Sequence, residues 1–148
     1  MDMNTIKELW EALNNSCLKK FHYWPNADVP RGRPGVYLIQ QDQELIYVGM
    51  AKSNLWGRLA QHARGNRSGD QFCVYVCDRL ILPRLTNEEI QQVGKGQLLL
   101  DKKVRAFVRE QLSYKFIETD NEQLAMELER FGIKAVQDQT PNLLNSRI

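Results

Sequence analysis

Apolar positions along the chain recur with two periods, and the two periods predict different elements. Residues 5–21 carry Ile6, Leu9, Trp10, Leu13, Cys17 and Phe21 at three- and four-residue spacing, the stripe of an amphipathic helix. Thr5 and Glu8 stand as a capping box at its start. Pro25 and Pro30 then mark a loop over residues 24–33. Two short runs follow, 35–40 and 44–49, rich in β-branched and aromatic residues and joined by Gln41-Asp42-Gln43; they predict a β-hairpin. With Asp42 at the turn centre, Tyr37 stands directly opposite Tyr47 and both rings project from one face. A loop one residue longer or shorter would separate them. From Asn54, an N-cap candidate, the pattern turns helical through His62, with Arg58 and His62 four apart on one face.

Beyond a turn-rich loop at 65–69, residues 71–78 (QFCVYVCD) are β-rich and predict a strand. A capping box at Thr86 and Glu89 opens a short helix that ends near Gly94-Lys95-Gly96, a stretch without the spacing of a phosphate-binding loop. Residues 98–112 read as a helix with Leu100, Val104, Phe107, Val108 and Leu112 on one side, and 113–118 as the third strand of the sheet. Asp120 and Gln123 are placed to cap a last helix buried through Leu124, Leu128 and Phe131 and ended by Gly132; the tail after Pro141 has no helical pattern. No linker or repeat interrupts the chain. The expectation is one α/β (α+β) domain over residues 1–148, with a small, mainly antiparallel three-stranded sheet and flanking helices.

Composition narrows this only slightly. At 148 residues, 43% hydrophobic and 26% charged, the chain resembles an ordinary globular domain, and its net charge of +2 neither demands nor excludes a polyanionic partner. The basic residues are clustered instead: Arg31 and Arg33 before the hairpin, Arg58, Arg64 and Arg67 after it, and Lys102, Lys103, Arg105 and Arg109 further on. Cys17, Cys73 and Cys77 lack a zinc-type Cys/His cluster and suit buried free thiols in a reducing compartment. No apolar run approaches membrane length, and the N-terminus has no signal-like pattern, so a cytoplasmic protein without a membrane partner is expected.

Gly35-Val36-Tyr37, Tyr47-Val48-Gly49 ten residues on, then Arg58, His62, Glu129 on the last helix and Asn145 after Pro141 together resemble the motif of the GIY-YIG nucleases. The resemblance spans roughly Gly35 to Asn145 and implies that family's fold, with a core at about 33–145, an extra N-terminal helix at about 5–21 and an elaborated middle segment. It implies a metal-dependent endonuclease that hydrolyses DNA phosphodiester bonds with Mg²⁺ or Mn²⁺; RNA, sequence preference and oligomeric state stay open. Glu129 would hold the metal: it lies beside Ala125 and off the apolar stripe, with Glu127 the neighbouring alternative. A lone carboxylate with retained waters suits Mg²⁺. Arg58 would offer its donor fork to phosphate oxygens. Tyr37 would act as general base, although a phenol of pKa near 10 needs metal and arginine to lower it. Tyr47 would orient water or phosphate, and His62 would share the base role or fix a phosphate. Asn145, or Asn142, takes the terminal position. Arg31, Arg33, Lys52, Arg64 and Arg67 become candidate backbone contacts. The alternative class is a nucleic-acid-binding module of the same fold that does not cut.

Overall fold

The computed structural model describes residues 2–145. Helix α1 (Met3–Asn14) starts at Asp2, whose side chain accepts from the Asn4 amide, so Thr5 and Glu8 do not cap it. It also stops short of Phe21. Asn14 Nδ2 donates to the Trp10 carbonyl at 2.8 Å and Ser16 Oγ to that of Leu13 at 2.6 Å. Ser16 thus takes up the Leu13 carbonyl, which a continuing helix would have offered to the Cys17 amide. Cys17 is left exposed, unlike Cys73 and Cys77. Lys19–Lys20 instead form a short strand, β1, so the sheet has four strands where three were expected.

The hairpin is β2 (Gly35–Gln41) and β3 (Glu44–Ala51). Asp42 adopts φ 54° in a turn tighter than expected, pairing Gln41 with Glu44 and Gln40 with Leu45. Continued unbroken, that register would put Tyr37 and Tyr47 on opposite faces. The register shifts instead between Ile39 and Gln40, leaving Ile46 as an extra residue and pairing Ile39 with Tyr47 and Tyr37 with Gly49. This bulge restores the parity. Both rings share a face, offset by two residues rather than directly opposed.

The other elements are α2 (Leu55–Arg64), α3 (Gln71–Val76), α4 (Asn87–Gly94), α5 (Leu100–Gln111), β4 (Leu112–Glu118) and α6 (Glu122–Val136). The sheet is antiparallel in the order β1-β4-β2-β3. Two cores flank it. One gathers Tyr37, Ile39, Ile46, Tyr47 and Tyr114 with side chains of α2, α3 and α5. The other gathers Val36, Leu38 and Val48 with side chains of α1 and α6 and with Leu143.

Residues 71–78, expected as a strand, are helical. Asp70 accepts from the Phe72 and Cys73 amides at 3.0 and 3.5 Å, and a π turn at Cys77–Ile81 extends α3. Phe72, Cys73, Val76 and Cys77 enter the core at helical spacing, and that packing overrides the β-propensity of the same residues. Helix α6 is capped by Asn121, which accepts from the Leu124 amide at 2.8 Å, rather than by Asp120 and Gln123. Gly132 does not end it: a Cβ there would lie 2.3 Å from the Trp10 ring, so this glycine lets α1 and α6 approach. Among the described residues no helix is long and apolar enough to cross a membrane.

Candidate active site

Two backbone bonds set α2 against the loop before the hairpin: Leu55 N donates to the Arg33 carbonyl at 2.9 Å and Trp56 N to that of Pro30 at 3.2 Å. Asn54 caps the helix, its side chain accepting from Gly57 N at 3.2 Å. The glycines of both tyrosine triplets are close-approach positions. A Cβ at Gly35 would meet the Ile117 carbonyl at 2.3 Å, and one at Gly49 would meet the Tyr37 phenol at 2.4 Å. Tyr37 therefore lies across the second triplet, and its hydroxyl end is directed by a neighbour that has no side chain.

The site has two floors. On the lower one, Tyr37 and His62 are both 0% exposed. The Tyr37 hydroxyl lies 2.6 Å from His62 Nε2, and His62 Nδ1 lies 2.8 Å from Asp70 Oδ2. Cys73 Sγ donates to the same carboxylate oxygen at 3.1 Å. Burial lowers the pKa of His62 against the pull of Asp70, which favours the neutral imidazole. Burial also works to raise the Asp70 pKa, but hydrogen bonds from His62 and Cys73 and the charge of Arg58 outweigh it, and the carboxyl stays ionised. Tyr37 is pushed well above the usual phenol value by burial, with Tyr47 adding to the rise and Arg58 opposing it.

The upper floor is an open cleft of about 540 Å³ lined by Tyr47, Lys52, Ser53, Asn54, Arg58 and Glu129, among others. Tyr47 is 7% exposed, and burial raises its pKa to about 12 while Arg58 pulls it down. Arg58 Nη1 donates to Gln61 Oε1 at 2.9 Å, and Gln61 Nε2 to the Gly69 carbonyl at 2.8 Å, which anchors the guanidinium to the loop before α3. Burial works to lower the Arg58 pKa, but Tyr37, Tyr47 and Asp70 together raise it. Glu129, half-buried on α6, has its pKa raised by burial and held back by Arg58 and Arg130. Glu127 lies outside this lining, bonded to Gln123 at 3.1 Å. One carboxylate beside open water suits a Mg²⁺ that keeps most of its hydration shell, so the cleft fits such an ion; among the described residues no group of three His, Cys, Asp or Glu forms a closed metal cage.

The remaining candidates divide. Lys52 lines the cleft and Arg64 is exposed on α2. Arg31 stacks on Trp56 at 3.6 Å, and Arg33 pairs with Glu118 at 3.5 Å. Arg67 pairs with Asp78 at 3.0 Å. In the third basic group, Arg109 donates to the Ala63 and Trp24 carbonyls and Lys103 pairs with Glu89. Asn145 does not line the cleft: its amide bonds the backbone of Val48 on the edge strand, next to Tyr47 and beside the bond from Leu144 N to the Ile46 carbonyl at 2.7 Å. Asn142 donates to Glu44 at 2.6 Å.

Two residues escaped the sequence reading. Asp70 was hidden at the head of an expected strand, although an Asp after Ser68-Gly69 is itself an N-cap signal. Gln61, three residues after Arg58 on α2, gave no chemical signal of its own. Compared with protein-family models, curated proteins and solved structures, the chain has no match.

Proposed function

We propose that this chain is a metal-dependent endonuclease of the GIY-YIG type that hydrolyses phosphodiester bonds in DNA. The observation that carries the reading is that residues from three separate elements, Tyr47 on β3, Arg58 on α2 and Glu129 on α6, line one cleft together with Lys52. A phosphodiester hydrolase needs donors for the charge growing on phosphate, a means of activating water, and a path for the backbone. Arg58, held by Gln61, offers its remaining N–H groups to the scissile phosphate, and Lys52 adds a point charge at the rim. Tyr47 is protonated at neutral pH, so its hydroxyl serves as a hydrogen-bond partner that orients water or phosphate rather than as a resident base. Tyr37, shielded from solvent, supports the cleft from beneath. Glu129 would hold Mg²⁺ or Mn²⁺, which when bound makes a water molecule more acidic and neutralises phosphate charge.

The test is cleavage of supercoiled plasmid, single-stranded and branched DNA, and a matched RNA, with and without Mg²⁺ or Mn²⁺. Metal-dependent cutting of at least one DNA substrate is expected, with RNA cut more slowly. Tight binding without metal-dependent cutting of any substrate would instead make the chain a non-cutting nucleic-acid-binding module.

A further inference from the structure

The lower floor contains a charged residue for which the proposed chemistry has no direct use. Asp70 is 2% exposed, yet each of its carboxylate oxygens is assigned. Oδ1 accepts from the Phe72 and Cys73 amides and so caps α3. Oδ2 faces His62 Nδ1 and Cys73 Sγ. An ionised carboxylate only accepts, so the Nδ1 facing it carries the imidazole proton. In a neutral imidazole Nε2 is then a bare acceptor, and the Tyr37 hydroxyl 2.6 Å away must donate to it. That spends the phenol's single proton and leaves its lone pairs for other donors. Arg58 is the cation beside it: its charge opposes the rise of the Tyr37 pKa, and Tyr37 in turn raises that of Arg58.

We propose that Asp70 is a positioning residue for the cleft: by fixing the His62 tautomer it makes Tyr37 donate inward, so that the phenol oxygen accepts from Arg58 and aims the guanidinium at the phosphate. The column runs Tyr37 to His62 to Asp70 with both hydrogen bonds in one direction, and the free side of the phenol oxygen is what it turns toward Arg58. It rests on the proposed function for its consequence in catalysis but not for its geometry. The titratable and charged groups that face His62 are Tyr37 from β2, Tyr47 from β3, Arg58 on its own helix, and Asp70 and Cys73 at the start of α3. Of these, Asp70 alone is a pure acceptor on Nδ1.

Asp70→Asn should reverse the column. The α3 amides need an acceptor, so the Asn carbonyl takes the Oδ1 position and its NH₂ faces His62 Nδ1. Nδ1 must then accept, the ring proton moves to Nε2, and the Tyr37 hydrogen is turned out against Arg58. The chain has two histidines, so imidazole nitrogen resonances from histidine-labelled protein assign directly. The expected result is neutral His62 with its proton on Nδ1 in the wild type and in Tyr37→Phe, and on Nε2 in Asp70→Asn. Single-turnover cleavage by Asp70→Asn should fall about 10²-fold, the scale of one misplaced transition-state donor. Introduced into Tyr37→Phe, the same substitution should cost less than about three-fold, because the link it acts through is already gone. A residue that merely capped α3 would cost the same in both backgrounds. An Nε2-protonated or charged His62 in the wild type, a tautomer that changes in Tyr37→Phe, an unchanged tautomer in Asp70→Asn, or equal costs in the two backgrounds would each overturn the assignment. If the wild type cuts no substrate, the proposed function fails while the tautomers still decide the role of Asp70. If Asp70→Asn does not fold, the wild type and Tyr37→Phe decide it.

Discussion

The two floors of the site differ in what holds their residues. Tyr37, His62 and Asp70 are closed from solvent, and each polar atom has a defined partner within 3.1 Å or less along the column. Tyr47, Lys52, Arg58 and Glu129 face an open cleft, and only Arg58 among them is tied to a neighbouring side chain in a directed hydrogen bond. The difference teaches that residue types from one motif need not share one job. A buried, fully paired column specifies geometry, because leaving any of its members unpaired is costly. A cleft with unspent donors and one carboxylate can exchange water for a ligand. Substitutions on the lower floor should therefore register in folding and orientation, and those on the upper floor in chemistry and binding.

The sharpest break between the floors is expected at Glu129. Glu129→Gln keeps the shape and removes the charge, so cleavage should fall by several kcal/mol, about 10³-fold or more, while DNA binding survives or tightens. Glu127→Gln, outside the cleft, should cut at the wild-type rate. Single-turnover cleavage beside equilibrium binding reads both; the opposite ranking would move the metal position to Glu127.

Gly49→Ala tests the lower floor through packing. Its Cβ would lie 2.4–2.6 Å from the Tyr37 ring and hydroxyl, and that ring has no room to give. A loss of about 1–3 kcal/mol is expected in denaturant unfolding. Tyr37→Leu/Gly49→Ala should recover part of it, whereas Tyr37→Phe, which keeps the ring, should not relieve the clash.

Acid should also act on the lower floor first. The folded pKa of His62 lies below its unfolded value, so as pH falls below about 6.5 the unfolded chain gains a proton that the folded chain does not. Stability should then drop by at most about 1.4 kcal/mol per pH unit until the folded pKa is reached. Asp70, whose folded pKa is lowered, loses its contribution only in a more acidic window, below the ordinary carboxylate value. His62→Gln, if it folds, should flatten the upper segment; an unchanged slope would show that His62 is not held neutral.

The smallest effects should come from the rim. Lys52→Ala and Arg64→Ala should each weaken DNA binding across sequences and reduce the salt slope by about one. Arg67, already paired with Asp78, should show less change in slope and more in stability.

Much of this was legible because it is local. The hairpin, α2 and its Asn54 cap lie within about thirty residues, and their turn and cap chemistry is written in adjacent side chains. The bulge at Ile46 was not legible. It exists because Ile46 and Tyr47 both enter the same core, and no alternation rule places two consecutive residues on one side. Asp70 was lost with the mistaken strand: residues 71–78 have β-rich composition, but Phe72, Cys73, Val76 and Cys77 are spaced for one helix face. The fourth strand was hidden because two lysines carry no strand signal, and their pairing with β4 is a tertiary event. Glu129 stood out by its position beside Ala125, whereas its meeting with Arg58 across seventy-one residues is a product of the sheet, which seats α6 beside β3.

The most direct measurement of the central claim is single-turnover cleavage at saturating protein for the wild type, Arg58→Ala and Arg58→Lys, with DNA affinity measured on the same samples. Metal-dependent cleavage by the wild type is expected, with a rate lower by about 10²–10³-fold for Arg58→Ala at full occupancy. Lysine should restore only part of that loss, because a point charge cannot reproduce the guanidinium fork. Wild-type rates in Arg58→Ala, or a loss that saturating protein fully repairs, would contradict it and reduce Arg58 to one phosphate contact among several.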